Sequence, residues 1–148
     1  MFYVVKFIFP ALLGDYAIAA ITSIDPEHQL AAAISIIIWM SAIISAFIDN
    51  IPFTAAMIPV LSQIAAETEV PIAPLIYALA FGACMGGNGT LIGASANVVA
   101  VGVAEEKGYK ITFFAFAKLG IPIMLITVTV AHVYLLICHC VFEWGNTT

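Results

Sequence analysis

The sequence predicts an all-α, polytopic membrane protein built around a re-entrant helical hairpin and a discontinuous transmembrane helix. Three observations predict it. First, 64% of the 148 residues are hydrophobic and only 9% are charged, with a mean hydropathy of +1.13, whereas soluble domains carry about 25% charged residues. Second, Leu30 to Ile48 is uncharged and is stopped by Asp49-Asn50-Ile51-Pro52, after which a second apolar arm, Phe53 to Ala66, turns back. Third, the uncharged run Val70 to Ala104 would be about 52 Å long as one helix, against a hydrocarbon core of about 30 Å. It has to be interrupted, and Gly86 to Thr90 is the segment poorest in helix formers. Unwound backbone at membrane depth is tolerated only under cover of protein or a polar cavity, so a buried polar site is expected there.

Composition also excludes classes of function. There is no Arg, and four Lys stand against nine acidic residues, a balance that argues against nucleic acid and leaves no basic membrane-binding patch. The three cysteines, at 84, 138 and 140, do not form a disulfide framework. Cys138-His139-Cys140 is too tight a set, with no fourth ligand, to predict a metal site. The opening Met-Phe-Tyr-Val-Val-Lys lacks the basic region and cleavage site of a signal peptide, and Met1 need not be a biological start. A chain of this length offers four or five membrane elements, few for a transporter with two structural repeats.

Taken in order, residues 1–24 are apolar but interrupted by Lys6, Pro10, Gly14 and Asp15, which suits an interfacial or truncated membrane segment. Asp25-Pro26-Glu27-His28 is a polar turn that opens a helix. Residues 25–148 then form one transmembrane domain. Its hairpin covers 30–66, with a second arm of about 21 Å that is too short to cross. Asp49 lies either at the far surface after a full span or at a hairpin tip inside the membrane, and the short second arm favours the hairpin. A broken helix follows over 74–104, its second half opening at Leu91, then a polar loop over 105–118 and a last span over 120–142. Three of the four Lys lie in that loop, which places it on the cytoplasmic side.

Asp49 is the only charged residue between His28 and Glu67. At membrane depth such a group marks a functional site, whereas at the surface it would cap the helix that starts near Pro52. Asn50, Thr54, Gly87, Asn88, Gly89, Thr90, Ser95 and Asn97 cluster around the two breaks. Broken helices present N-terminal amides to anions, and unwound carbonyls and C-terminal ends to cations. Glycines at 82, 86, 89 and 93 let backbones approach closely, through either site-building or helix packing. Asn88-Gly89-Thr90 and Asn146-Thr147-Thr148 match the glycosylation sequon, the first at a position expected to be buried. His132 is the kind of residue that sits in a proton path or bonds a neighbouring helix. Trp39 and Trp144 read as packing and interface residues.

The segments WMSAIISAFIDNIPFTAAMIPVL (39–61) and YALAFGACMGGNGTLIGASANVV (77–99) resemble the ion transporter superfamily, which includes arsenite permeases, sodium/proton antiporters and citrate or dicarboxylate transporters. The resemblance runs from about Pro26 to Trp144 and is marked toward the superfamily's melanosomal branch. It implies an inverted-repeat transporter of which this chain is the C-terminal repeat, lacking its N-terminal partner. It also implies Asp49 to Thr54 at a re-entrant tip facing the unwound Gly86 to Thr90. In sodium-coupled dicarboxylate relatives the tip carries Ser-Asn-Thr. Here Asp49 replaces the hydroxyl, which suits proton or cation coupling better than an anionic substrate alone.

The expected function is secondary transport of an ion or small anion, coupled to H+ or Na+, with sodium near Asn50 and Asn88 and no other cofactor. A channel-like chloride conductance is the alternative of the same class. A truncated, non-transporting fragment and an intramembrane hydrolase are the alternatives of other classes. Gly93-Ala94-Ser95-Ala96 misses the serine-protease pattern by one glycine, so no enzyme is expected. The expected partners are the lipid bilayer, the missing repeat and further copies of the full protein. The expected location is an organelle, melanosome-like or endolysosomal, or the plasma membrane.

Overall fold

A computed structural model describes residues 9–68 and 70–144, and among them every regular element is helical. Helix α1, Phe9–Thr22, runs without a break through Pro10, Gly14 and Asp15, which corrects the expectation of an interrupted segment. Pro10 falls in the first turn, where its missing N–H has no helical partner to lose. Gly14 lies against α3, where an added Cβ would come within 3.1 Å of Val60. Lys6 lies outside the described residues.

A 3₁₀ turn at Pro26–His28 leads into α2, Gln29–Ser45. Helix α3, Asn50–Thr68, has 19 residues, about 28 Å, and is longer at both ends than the expected arm. Pro52 sits in its first turn. At the other end Gln63 Nε2 donates to Glu67 Oε1 at 2.9 Å, and Thr68 Oγ1 donates to Ile64 O at 2.6 Å. Arm length therefore gives no ground for a turn inside the membrane. Helix α4, Ile72–Gly86, tolerates Pro74 in its first turn. Irregular backbone fills 87–94 before α5, Ser95–Glu106, so the break is wider than Gly86 to Thr90 and the second half opens four positions later than expected.

Helix α6, Phe113–Leu136, starts before the expected Gly120 because the Thr112 side chain accepts from Ala115 N at 3.3 Å and caps it. The polar loop shrinks to 107–112 accordingly. A π-helical turn, Ile137–Val141, extends α6. Among the described residues two helical stretches are long and apolar enough to cross a membrane: Pro26–Ser45, with 20 residues, and Phe113–Val141, with 29.

The largest interface is α2 on α4, and small residues make it. A Cβ on Gly82 would lie 2.5 Å from Ile38 O and 2.8 Å from Ser41 Cβ, and a Cβ on Gly86 would overlap the Ala42 backbone. The matched order Ile38 to Gly82 and Ala42 to Gly86 makes the two helices parallel. Helix α3 must then run back from the end of α2 to the start of α4, and it touches α1 and α4 more than α2. Helix α6 runs antiparallel to α4, since Tyr77 near the start of α4 stacks on His139 beyond the end of α6, with centroids 5.8 Å apart. Ile34, Ile37, Ile38, Leu61, Ile64 and Leu79 fill the core. Leu119, Ile126 and Val130 on the outer face of α6 stay exposed, as a lipid-facing surface requires.

Because the atoms crowding Gly86 are backbone, Gly86→Ala is expected to destabilise the chain by about 1–3 kcal/mol. Gly102, inside α5 with nothing within 4 Å of its added Cβ, gives the opposite sign: Gly102→Ala stabilises by about 1 kcal/mol through helix propensity. Thermal unfolding of both variants in the same detergent checks the pair.

Candidate functional site

The parallel packing of α2 and α4 brings their C-terminal ends to one level, and the chain leaves both helices there. Ser45 Oγ donates to Ala83 O at 2.6 Å, tying the end of α2 to the last turn of α4. Past α2, the joint 46–49 leads directly into α3. Past α4, the backbone of 87–94 winds over the end of α2. Thr90 is buried, and its hydroxyl donates to Ala46 O. Gly93 packs so closely that a Cβ there would sit 2.8 Å from Ala46 O, 2.9 Å from Gly87 O and 3.0 Å from Ser45 O. The carbonyls of both helix ends thus converge on the break, and a helix C-terminus carries partial negative charge.

Asp49 handles the opposite ends. Its Oδ1 accepts from Ile51 N at 3.1 Å, capping α3, and its Oδ2 accepts from Ser95 N at 3.0 Å, at the first residue of α5. One carboxylate therefore joins two helix N-termini, each with donors lacking intrahelical partners. Asn97, two residues into α5, closes the loop from the other side. Its Nδ2 donates to Gly87 O at 2.9 Å and to Thr90 O at 3.2 Å.

The second wall of the break is α6. Gly120 lies directly under the carbonyls of Asn88 and Gly89, and an added Cβ on Gly89 would meet Met124 Sδ at 2.7 Å and Ala46 Cβ at 3.2 Å. The 87–94 segment is gripped between α2 and α6.

Of the residues singled out in the sequence, the structure gathers Asp49, Gly87, Gly89, Thr90, Ser95 and Asn97 into this arrangement. Ser95 enters through its backbone N–H. Asn50 is the first residue of α3 and half-buried. Asn88, expected to be buried, is exposed, and it lines an open recess of about 580 Å³ with Lys110, Phe116 and Gly120. Thr54 stands apart, in an apolar crevice of about 210 Å³ between α3 and α4 with Ile58, Leu61, Ile72 and Ile76. Sequence reading missed Ser45, Ala46, Gly120 and Met124. It also missed Ser41, whose buried hydroxyl has no hydrogen-bond partner among the described residues. A signal was present: Ser41 and Ser45 repeat at four, as do Gly82 and Gly86, which is the small-residue pattern of tightly packed membrane helices.

Among the described residues a bundle of apolar helices, two of them long enough to cross a bilayer, encloses helix ends that meet at unwound backbone, as in a polytopic membrane protein. The chain belongs to the citrate transporter family, which matches over residues 13–82 and 33–145. It is 52% identical over 135 residues to the human P protein, covering 90% of this chain and 16% of that protein. It is 31% identical over 134 residues to an uncharacterized transporter of Synechocystis, covering 80% of this chain and 30% of the relative. A 46 kDa membrane protein of Mycobacterium leprae is 36% identical over 128 residues, 84% of this chain and 29% of that protein. The chain thus spans between about a sixth and a third of the relatives it matches. No solved structure matches at a significant level.

The two polar clamps are separable. Thr90→Val keeps the shape but removes the donor to Ala46 O, and is expected to cost about 1–3 kcal/mol, with Thr90→Ser close to neutral by comparison. Asp49→Asn retains one acceptor oxygen for two N–H groups and loses the charge at both helix ends, so a loss of about 1–2 kcal/mol is expected. Thermal unfolding of each purified variant measures both effects.

Proposed function

We propose that this chain is the C-terminal repeat of a secondary transporter that moves an ion or small anion across a membrane with proton or sodium coupling. The observation that carries the reading is the meeting of four helix ends at one level, with α2 and α4 ending where α3 and α5 begin. Asp49 accepts one N–H at each N-terminal end, from Ile51 and from Ser95, and its negative charge there disfavours an anion. Carbonyl oxygens at the ends of α2 and α4 face the break instead, and Ala46 O, which accepts from Thr90, keeps a second lone pair, which suits a cation. This supports a coupling-ion role for Asp49, Thr90 and Asn97 more than it supports direct binding of an anionic substrate at the same point; sodium near Asn50 and Asn88 is part of the proposal on the sequence pattern alone.

Helix lengths support a re-entrant hairpin, on a different ground from arm length. The break lies opposite Gly120 and Met124, yet α6 begins at Phe113, about 10 Å further out. The joint from Asp49 to Pro52 is level with the break, so the start of α6 lies beyond it. A tip at the membrane surface would leave that helix end outside it.

The inverted-repeat arrangement, with a partner repeat elsewhere in the full protein, agrees with the short share of each relative that this chain covers. It also agrees with α5, which has no buried residue and leaves Val98, Val99 and Val103 exposed. Oligomers of the full protein and an organellar membrane, a melanosome-like one included, belong to the same proposal.

The test is flux through the full-length protein in proteoliposomes under an imposed pH or sodium gradient. Coupled transport is expected to follow the gradient, to lose its pH dependence in Asp49→Asn, and to show weaker ion affinity in Asn88→Ala and Asn97→Ala. Conductance indifferent to both gradients would establish a channel instead.

A further inference from the structure

His132 lies within the membrane-crossing part of α6, about 14 Å from its C-terminal end at Val141, and uses both ring nitrogens on one neighbour, α2. Trp39 Nε1 donates to His132 Nδ1 at 3.3 Å, and Ser35 Oγ lies 2.8 Å from Nε2. The two rings meet edge to face, with centroids 6.3 Å apart and planes at 88°. An indole N–H is only ever a donor, so Nδ1 must be bare. The proton of the neutral ring is therefore on Nε2 and goes to Ser35 Oγ. Ser35 in turn donates its own hydrogen to Ala31 O at 2.7 Å. Every donor in this chain of bonds has one acceptor, and that holds for a single protonation state.

A proton arriving on Nδ1 breaks one of those bonds. It sets an imidazolium N–H against the indole N–H, donor against donor, while the bond to Ser35 survives. The Trp39 and Ser35 contacts are the only side-chain hydrogen bonds between α2 and α6 among the described residues. Losing one of them leaves the joint held by apolar packing and a single hydroxyl.

The position of the joint gives that loss a consequence. Helix α2 holds the break through Ala46 and Ser45, and α6 holds it from the other side through Gly120 and Met124. A change in how α2 sits on α6 reaches 87–94 from both walls. Among the described residues no other titratable group is hydrogen-bonded at the joint. Helix α2 has none, and α4 has only Tyr77, which stacks on His139, and the exposed Cys84. On the remainder of α6 and the π turn the titratable groups are Lys118, Tyr134, Cys138, His139 and Cys140, while both ring nitrogens of His132 are engaged by α2.

We propose that His132 is a proton-binding site whose occupancy releases Trp39, loosens α2 from α6 and so alters the unwound segment 87–94. The proton site stands on the hydrogen-bond geometry alone, and only its meaning for transport rests on the proposed function. The tests therefore use no transport readout.

The chain has two tryptophans, so Trp144→Phe leaves Trp39 as the sole reporter. In lipid nanodiscs its emission is expected to change in one reversible step between about pH 8 and 5, where histidine titrates. His132→Gln, whose amide can accept from Trp39 and donate to Ser35, is expected to give a flat profile. In the unmodified chain, histidine ¹⁵N spectra at the high-pH end should show Nδ1 unprotonated. Amide exchange across 87–94 should run about fivefold faster than in His132→Gln below the midpoint, the scale of one lost hydrogen bond, and equally above it. A flat Trp39 profile in the His132 chain, an identical step in His132→Gln, or a protonated Nδ1 at high pH overturns the proton site. Equal exchange at both pH values overturns its link to the break.

Discussion

The near-contact of the α2 and α4 backbones at Gly82 and Gly86 is the constraint on which the rest of the structure depends. It sets the two helices parallel and in register, so that both stop at the same height. Everything polar in the candidate site follows from that coincidence. The carbonyls left over at two helix ends need donors, and Thr90, Asn97 and the Ser45 hydroxyl supply them. The donors left over at the next two helix starts need an acceptor, and Asp49 supplies it for both. A side chain on either glycine would separate the helices and leave these groups facing hydrocarbon.

This arrangement explains how irregular backbone persists in an apolar protein. Unpaired amides and carbonyls are costly in lipid, and here the leftovers of one helix pair answer those of the other within a single compact cluster. Asp49 is part of the folding solution as much as a candidate for transport. A hydroxyl at the same place has one oxygen and no charge. It could not reach two helix starts with separate oxygens, nor set a negative charge at both.

The fold class was legible because composition and run length leave few alternatives: a 35-residue uncharged run cannot be one straight helix in a bilayer. The location of the break was legible from its glycines, and Asp49 stood out as a lone charge. Other features depend on packing that no local pattern encodes. Helix α5 opens at Ser95 rather than Leu91 because 87–94 is held against the end of α2 by Gly93 and Thr90. Helix α6 reaches back to Phe113 because Thr112 caps it, outweighing the Lys118 that had suggested a loop. Thr54 looked like a site residue by proximity in sequence, but the helical turn between it and Asn50 carries it into the α3–α4 crevice. The walls of the break on α6, Gly120 and Met124, come from a segment 30 residues away whose antiparallel register the sequence does not state.

The attachment of α5 has a mechanical consequence. Among the described residues, this helix is fastened at one end only, by the Asp49 carboxylate at Ser95 and the Asn97 amide reaching back to the break, and no side of it is packed on the bundle. It behaves as a lever about 18 Å long on a polar pivot. A tilt of about 20° would carry its far end, with Glu105, Glu106 and Lys107, through about 6 Å while moving the pivot atoms by fractions of an ångström. The pivot and the candidate ion site are the same few atoms. A small displacement at those atoms would therefore be magnified at Glu105, Glu106 and Lys107.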